Sequence, residues 1–261
     1  MNKIYYSRVK GHFATIYAIS VRAMEEISKA LPLDQKDVLL DVGCGSGILT
    51  TLLSKRVGRV TAFDISPEMI KEAKKSCQAE NISYSVGDAT QLSTFKEYSN
   101  SFDKAVAYFA LNWMKDSKTA LEGIHQSLKP GGQCFVNMTQ QNPDVIDIAR
   151  IIGCFTNPKW DIFMKGYEHS YYPFKGSVGD FKQMMAGIGF EDIECTQDVF
   201  KFAMEDDEGK AFLPSLIGQL GRFPEDRREE YVKEALKFVF DTYQGEYCLT
   251  ASRITAAARK I

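Results

Sequence analysis

Histidine is scarce in this chain: His12, His125 and His169 are the only three in 261 residues. The six cysteines, Cys44, Cys77, Cys134, Cys154, Cys195 and Cys248, are scattered and form no CxxC pair. These shortages argue against a structural zinc site and against a disulfide scaffold, and they point to free thiols in a reducing compartment. No metal is expected. Charge of one sign is not in excess either: 25% of residues are charged, yet the formal net charge is -2, which offers no grip on a nucleic-acid backbone. Nowhere does an apolar run approach the roughly 18 residues that would cross a bilayer. The opening "MNKIYYSRVKGHFATIYA" mixes charges with aromatics and has no apolar core ending in a cleavage signal. A cytoplasmic protein is expected, a monomer or weak homodimer that works on a small molecule with neither membrane nor nucleic acid as partner.

What is present is enough for a substantial core, since 44% of residues are hydrophobic. Residues 14–31 place Ile16, Ile19, Met24, Ile27 and Leu31 on one helical stripe that Pro32 ends. "DVLLDV" (37–42) reads as a buried strand, "SGILTTLLSK" (46–55) as a helix and "RVTAFDI" (59–65) as a second strand. A helix follows over 66–78, with Ser66 as its cap and Pro67 in its first turn. Further strands are predicted at 82–89, 101–110 and 131–139, the last after the turn "KPGG", with a helix at 117–128. Such alternation demands a mostly parallel sheet covered on both faces, an α/β protein. After Asn142 the pattern loosens into aromatic-rich stretches, a helix at "VGDFKQMMAGIG", a strand at "FEDIECTQDVFKF", a helix over 224–243 and a final apolar stretch. One domain over 1–261 is expected, with cap elements at about 1–31, 142–176 and 205–245 built on loop ends.

Three glycines, Gly43, Gly45 and Gly47, follow the first strand in "VLLDVGCGSGILT". Bare positions there let a turn bend sharply and let a ligand approach the backbone at a helix start. Asp64, at the end of the second strand, is placed to accept hydrogen bonds from both hydroxyls of a ribose. The dinucleotide fingerprint G-x-G-x-x-G is not met, because Ile48 stands where its last glycine belongs. The lysine and serine or threonine that end a phosphate loop are absent as well. A nucleoside without phosphates remains.

These residues, with "VGDAT" (86–90), "FDKAVAYFALNWMKD" (102–116) and "LKPGGQCFV" (128–136), resemble the class I S-adenosylmethionine-dependent methyltransferases from about residue 36 to 139. The resemblance implies a Rossmann-like seven-stranded sheet of order 3-2-1-4-5-7-6 with the seventh strand antiparallel. It implies S-adenosyl-L-methionine as cofactor, with Gly43, Gly45 and Gly47 around its methionine part and Asp41 near the ammonium. Asp64 and Ile65 would meet the ribose and its surroundings, Asp88 the adenine amine and Ala89 the ring nitrogens. Phe109 and Tyr17 are further cofactor candidates, Tyr17 through an N-terminal helix that in many relatives closes over the cofactor.

The acceptor is expected near the tips of strands one and four, where Asn112, Trp113, Trp160, His169 and Tyr172 are candidates for orienting it. "LNW" (111–113) and "KWDIFMKGYEHSYYPF" (159–174) resemble, more distantly, insect juvenile hormone acid methyltransferases and bacterial trans-aconitate and malonyl-carrier methyltransferases. Those relatives methylate carboxylates, which are ionised at neutral pH and need no strong base. The expected acceptor is therefore a carboxylic acid with an apolar body. An N- or C-methyltransferase is the alternative, and so is a sensor or partner subunit that binds the cofactor without transferring methyl. The "NPPY" or "DPPY" of some nucleic-acid-modifying relatives is replaced here by "YFALNWMKD".

Overall fold

A computed structural model describes residues 12–142, 155, 157–167, 171–203, 222–242 and 248–261. Seven strands form one sheet of order β3-β2-β1-β4-β5-β7-β6. They are β1 (Val38–Val42), β2 (Arg59–Asp64), β3 (Ile82–Val86), β4 (Phe102–Ala107), β5 (Leu128–Thr139), β6 (Phe190–Ala203) and β7 (Cys248–Lys260). β1 to β5 pair in parallel, whereas β7 runs antiparallel to β5. Both the order and the reversed strand agree with the sheet that the motifs imply.

Burial explains the strand sequences. β1 is central and buried on both faces, so "VLLDV" carries no alternation, while edge strand β3 has only exposed and half-buried positions. Helix α1 (His12–Ala30) and helix α2 (Ile48–Ser54) cover one face, where Ile27, Leu31 and Leu53 pack on Leu39, Val60, Val106 and Phe135. The other face carries α4 (Ser117–Ser127), whose Ala120, Leu121 and Ile124 pack with Val136, Met138, Ile254 and Ala256. Helix α3 (Pro67–Ser76) starts as expected on Ser66, whose hydroxyl accepts the Met69 N–H at 3.3 Å.

Three expected boundaries move, each for a local reason. β3 stops at Val86 because the Gly87 N–H turns to the Asp64 carbonyl at 3.0 Å and Asp88 caps a 3-10 turn, Ala89–Thr94. β4 stops at Ala107 because Phe109 adopts a left-handed φ of 51°. The "KPGG" segment lies within β5 as an irregularity: Phe102 pairs with Leu128 but Lys104 with Gln133, so β5 spends extra residues there.

Contacts divide the chain into two compact units, one of Met1–Ile16, Asn142–Tyr171 and Val199–Ser252, the other of Tyr17–Gln141, Tyr172–Asp198 and Arg253–Ile261. The first includes a 3-10 turn, Pro158–Trp160, a short helix α5 (Asp161–Met164) and helix α7 (Glu225–Thr242). Its described core is aromatic: Phe223 stacks on Tyr231 with centroids 4.1 Å apart, and Trp160 meets both rings edge-on. The second holds most of the sheet, with α6 (Val178–Ile188) opened by a reciprocal Ser177–Asp180 capping box and ended by Gly189 at φ 114°. The four described cysteine thiols, Cys44, Cys77, Cys134 and Cys195, are free.

Candidate functional site

The carboxyl ends of β1, β2 and β3 each deliver an aspartate: Asp41, Asp64 and, just past β3, Asp88. Parallel strands carry their C-terminal ends to one edge of the sheet, which is where open α/β sheets bind ligands.

The glycines of the turn differ in what they do. A Cβ on Gly43 would lie 2.5 Å from the Ala110 Cβ, so this glycine lets the β4 tip seat against the turn. A Cβ on Gly47 would meet the Tyr84 hydroxyl at 2.6 Å, which is a packing requirement. Gly45 alone of the three, at φ 54°, has nothing within 4 Å of a built Cβ and faces open space. Close approach of a ligand is thus a reason for Gly45, while packing accounts for its two neighbours.

Turn amides are mostly committed inside the protein. Gly43 and Cys44 both donate to the Phe63 carbonyl, Gly47 donates to the Cys44 carbonyl, and Gly45 donates to Asp64 Oδ2 at 3.0 Å. A phosphate-binding turn aims such donors at its anion. This one does not, which agrees with a ligand lacking phosphates.

Asp64 accepts that bond on Oδ2 and the Ser66 N–H on Oδ1 at 2.9 Å, so its plane is fixed from both sides. Each oxygen keeps a second lone pair, which is what two vicinal hydroxyls require. Burial raises its pKa, and the two N–H donors partly offset that. Asp88 Oδ1 takes the Thr90 N–H and hydroxyl, and Ala89 behind it is buried. Ile65 is 46% exposed, an aliphatic surface beside Asp64 suited to the flat face of a ring.

Asp41 tests whether a cationic cofactor fits. The residue is buried, and its Oδ2 accepts the Thr50 hydroxyl at 2.6 Å. Burial lifts its pKa to about 6, the Thr50 bond lowers it, and the charge of Asp64 raises it again. A buried carboxylate next to a second carboxylate calls for a positive group. The ammonium and sulfonium of S-adenosylmethionine supply positive charge, so the residues fit that group.

Past β4 the structure brings several candidates together. Asn112 is buried in a 3-10 turn, Leu111–Trp113, and its carbonyl accepts the Tyr172 N–H at 2.6 Å. Trp113 is 38% exposed and Tyr172 half-buried, so both rings retain accessible surface. Residues 172–174 also run along the end of β5, the Phe174 N–H donating to the Thr139 carbonyl. Asn112 was expected to offer its amide to a ligand. With that amide oriented to satisfy both ends, Nδ2 donates to the Phe109 carbonyl at 3.2 Å and Oδ1 accepts Trp113 Nε1 at 3.0 Å. Its amide therefore serves the turn.

Trp160 also needs correcting. Only 1% of it is exposed, its indole N–H donates to Glu234 Oε2 at 2.7 Å, and Phe223, Tyr231 and Phe163 enclose it. A ring so enclosed has no face for an acceptor. Tyr17 is 45% exposed on α1, and His169 lies outside the described residues. His125 packs edge-on against Phe190 with Nε2 3.2 Å from the Gly189 carbonyl, a structural position.

Five residues around the β4 tip escaped the sequence reading. Arg253, on β7, makes a two-pronged pair with Asp198 (2.8 and 2.6 Å) and bonds Glu26 of α1 at 2.8 Å. Tyr108 donates to the same Glu26 at 3.2 Å, and the Arg253 guanidinium lies 5.9 Å from the centre of the Phe109 ring. Asn137, fully buried on β5, accepts the Phe109 N–H on Oδ1 at 2.6 Å. The only sequence signals were an asparagine inside "CFVNMT" and an arginine inside an apolar C-terminal stretch.

A Rossmann-like sheet with acids at three successive strand ends and a glycine turn whose amides are mostly committed inside the protein fits a nucleoside without phosphates. The family described as "Methyltransferase domain" matches residues 40–136. The chain is 32% identical over 230 residues to juvenile hormone acid O-methyltransferase of Drosophila melanogaster, covering 82% of this chain and 75% of that one. Against the enzyme of the same name from Bombyx mori the identity is 24%, with 84% and 80% covered. The crystal structure of the YcgJ protein of Bacillus subtilis superposes with a TM-score of 0.62 at 18% identity, over 92% of this chain and 98% of that one, a likeness of fold. The chain belongs to the class I S-adenosylmethionine-dependent methyltransferases, and it acts on a small molecule.

Proposed function

We infer that the protein moves the methyl group of S-adenosylmethionine onto a carboxylate oxygen of an organic acid with an apolar body. The observation that carries this reading is the character of the β4 tip. Among the described residues, Phe109, Trp113 and Tyr172 present aromatic surface there, and the carboxylates nearby, Glu26 and Asp198, are already paired with Arg253, so neither is a free base. An amine or carbon acceptor must lose a proton during transfer, whereas an ionised carboxylate is already nucleophilic and needs alignment and exclusion of water. The name of the Drosophila and Bombyx relatives, acid O-methyltransferase, agrees.

The cofactor supplies an electrophilic methyl on a sulfonium. Around it Asp64 holds the ribose hydroxyls, Asp88 and the Ala89 backbone read the adenine edge, and Ile65 covers the ring. Asp41 faces the ammonium, Gly45 admits the methionine backbone, and Phe109 and Tyr17 border the cofactor. Trp113 and Tyr172 orient the acceptor's body, with His169 a further candidate. On this reading the protein works in the cytoplasm, as a monomer or weak homodimer.

Calorimetric titration with S-adenosylhomocysteine, NADH serving as control, comes first. Binding that Asp64→Ala weakens about a hundredfold, followed by methyl ester formation from fatty acids of graded length, is the expected result. Tight binding with no ester from any acid, but with methylated amines, would replace this reading by N-methylation.

A further inference from the structure

The two faces of the β5–β7 pair contrast. Antiparallel register sets Asn137 opposite Thr255 and Thr139 opposite Arg253, so these four side chains share the α1 side of the sheet. On the other side Val136, Met138, Ile254 and Ala256 form a fully apolar core. On the polar side Asn137 Nδ2, Thr139 Oγ1 and Thr255 Oγ1 are buried without a hydrogen-bond partner. Apolar residues would fill such a space at lower cost. Packing therefore does not explain an asparagine at 137.

Its one hydrogen bond does. Asn137 Oδ1 accepts the N–H of Phe109, the non-glycine residue at φ 51° that turns the chain out of β4. Asn112 in turn donates its Nδ2 to the Phe109 carbonyl. Two buried asparagines thus grip one residue's backbone, the N–H by one and the C=O by the other. A strained conformation persists only when its surroundings over-determine it, and this grip supplies that constraint. The next residue, Ala110, seats on Gly43, and the far end of the turn holds the Trp113 indole through Asn112 Oδ1.

We propose that Asn137 is a positioning residue for methyl transfer: by holding Phe109 left-handed it fixes the 109–113 turn, and with it the Trp113 ring, against the glycine turn. This rests on the reading of that turn as the acceptor's contact. Asn137 itself touches neither reactant and acts through Phe109.

The test uses full-length protein labelled with 5-fluorotryptophan, whose fluorine spectrum has two signals, from Trp113 and Trp160. In Asn137→Ala the Trp113 signal should shift and broaden while that of Trp160 stays, and S-adenosylhomocysteine affinity should fall far less than kcat, since Phe109 only borders the cofactor. With an acid found to be an acceptor, kcat should fall about a hundredfold, the scale of a small misplacement of reacting groups. Asn137→Asp keeps an acceptor in the same place and should return both the signal and most of kcat. An unmoved Trp113 signal in the alanine variant would overturn the proposal, as would an aspartate variant disturbed equally, a parallel loss of S-adenosylhomocysteine affinity, or a moved signal with kcat intact. If no acid serves as acceptor, the carboxylate reading fails, and the fluorine signals still decide whether Asn137 holds the turn.

Discussion

The two halves of the sheet solve different problems with different materials. In the β1–β2–β3 half, each candidate group stands at the end of its own strand and is braced by neighbours close in sequence: Asp64 by Ser66, Asp88 by Thr90, Asp41 by Thr50. In the β4–β5–β7–β6 half, one small region draws on Glu26, Phe109, Asn112, Asn137, Asp198 and Arg253. A site for an invariant cofactor can be written into local motifs. One that must fit a particular acceptor is assembled across the fold, and its parts are silent until the strands pair.

The largest test of that contrast is Arg253→Met. The guanidinium is only 4% exposed and lies between Glu26 and Asp198, so its removal takes a buried cation from both. Asp198 is nearly half exposed and water will screen it, while Glu26 keeps Arg22 and the Tyr108 hydroxyl, so much of the cost is the lost packing and hydrogen bonding of the guanidinium itself. A loss of about 3 kcal/mol is expected by urea unfolding, the low end for breaking a buried pair. S-adenosylhomocysteine affinity of the folded protein should stay unchanged, because the damage lies away from the aspartates of β1, β2 and β3.

Asp64→Ala reverses the pattern. Losing a charged acceptor of hydroxyl bonds should weaken S-adenosylhomocysteine binding about a hundredfold by calorimetry, with a smaller effect on stability. Retained affinity would remove the ribose role from this residue.

Within the glycine turn the contrast sharpens further. Gly43→Ala drives a methyl into Ala110 as well as straining φ, and should cost about 2 kcal/mol of stability. Gly45→Ala meets no atom and should cost about 1 kcal/mol from φ alone. Ligand affinity should rank the two oppositely, because Gly45 faces the site. Equal thermal shifts would contradict the packing account of Gly43.

The smallest effect is a pH dependence. A cationic ligand group prefers ionised Asp41, whose pKa lies at about 6 in the folded protein. Below that pH, S-adenosylhomocysteine affinity should fall by about tenfold per unit, with one proton released on binding. In the ligand-free protein the raised pKa stabilises the fold fully below the ordinary 3.8, and this contribution is lost as pH rises through about 6. Asp41→Asn should flatten both profiles.

Most strands and helices were legible because their signals are local: the aliphatic runs of β1 and β2, the Ser66–Pro67 start of α3, the period of α4. The boundaries that moved sit where a tertiary contact ends a strand, at Gly87 and at Phe109. Trp160 was misread for a similar reason. An aromatic in a loop-rich stretch suits a cleft and a core equally, and Glu234, far along the chain, decided for the core.

By itself the sequence determined the sheet, its order through the family motifs, and the three aspartates at the ends of β1, β2 and β3, because hydrophobic periodicity and glycine turns act over a few residues. Only the tertiary structure decided which glycine opens to a ligand, that Asn112 braces Trp113, and that Asn137 and Arg253 converge on Phe109. The last depends on strand register between β5 and β7, which brings together residues more than a hundred positions apart in the chain, and the others on how the β4 tip folds back beside the glycine turn.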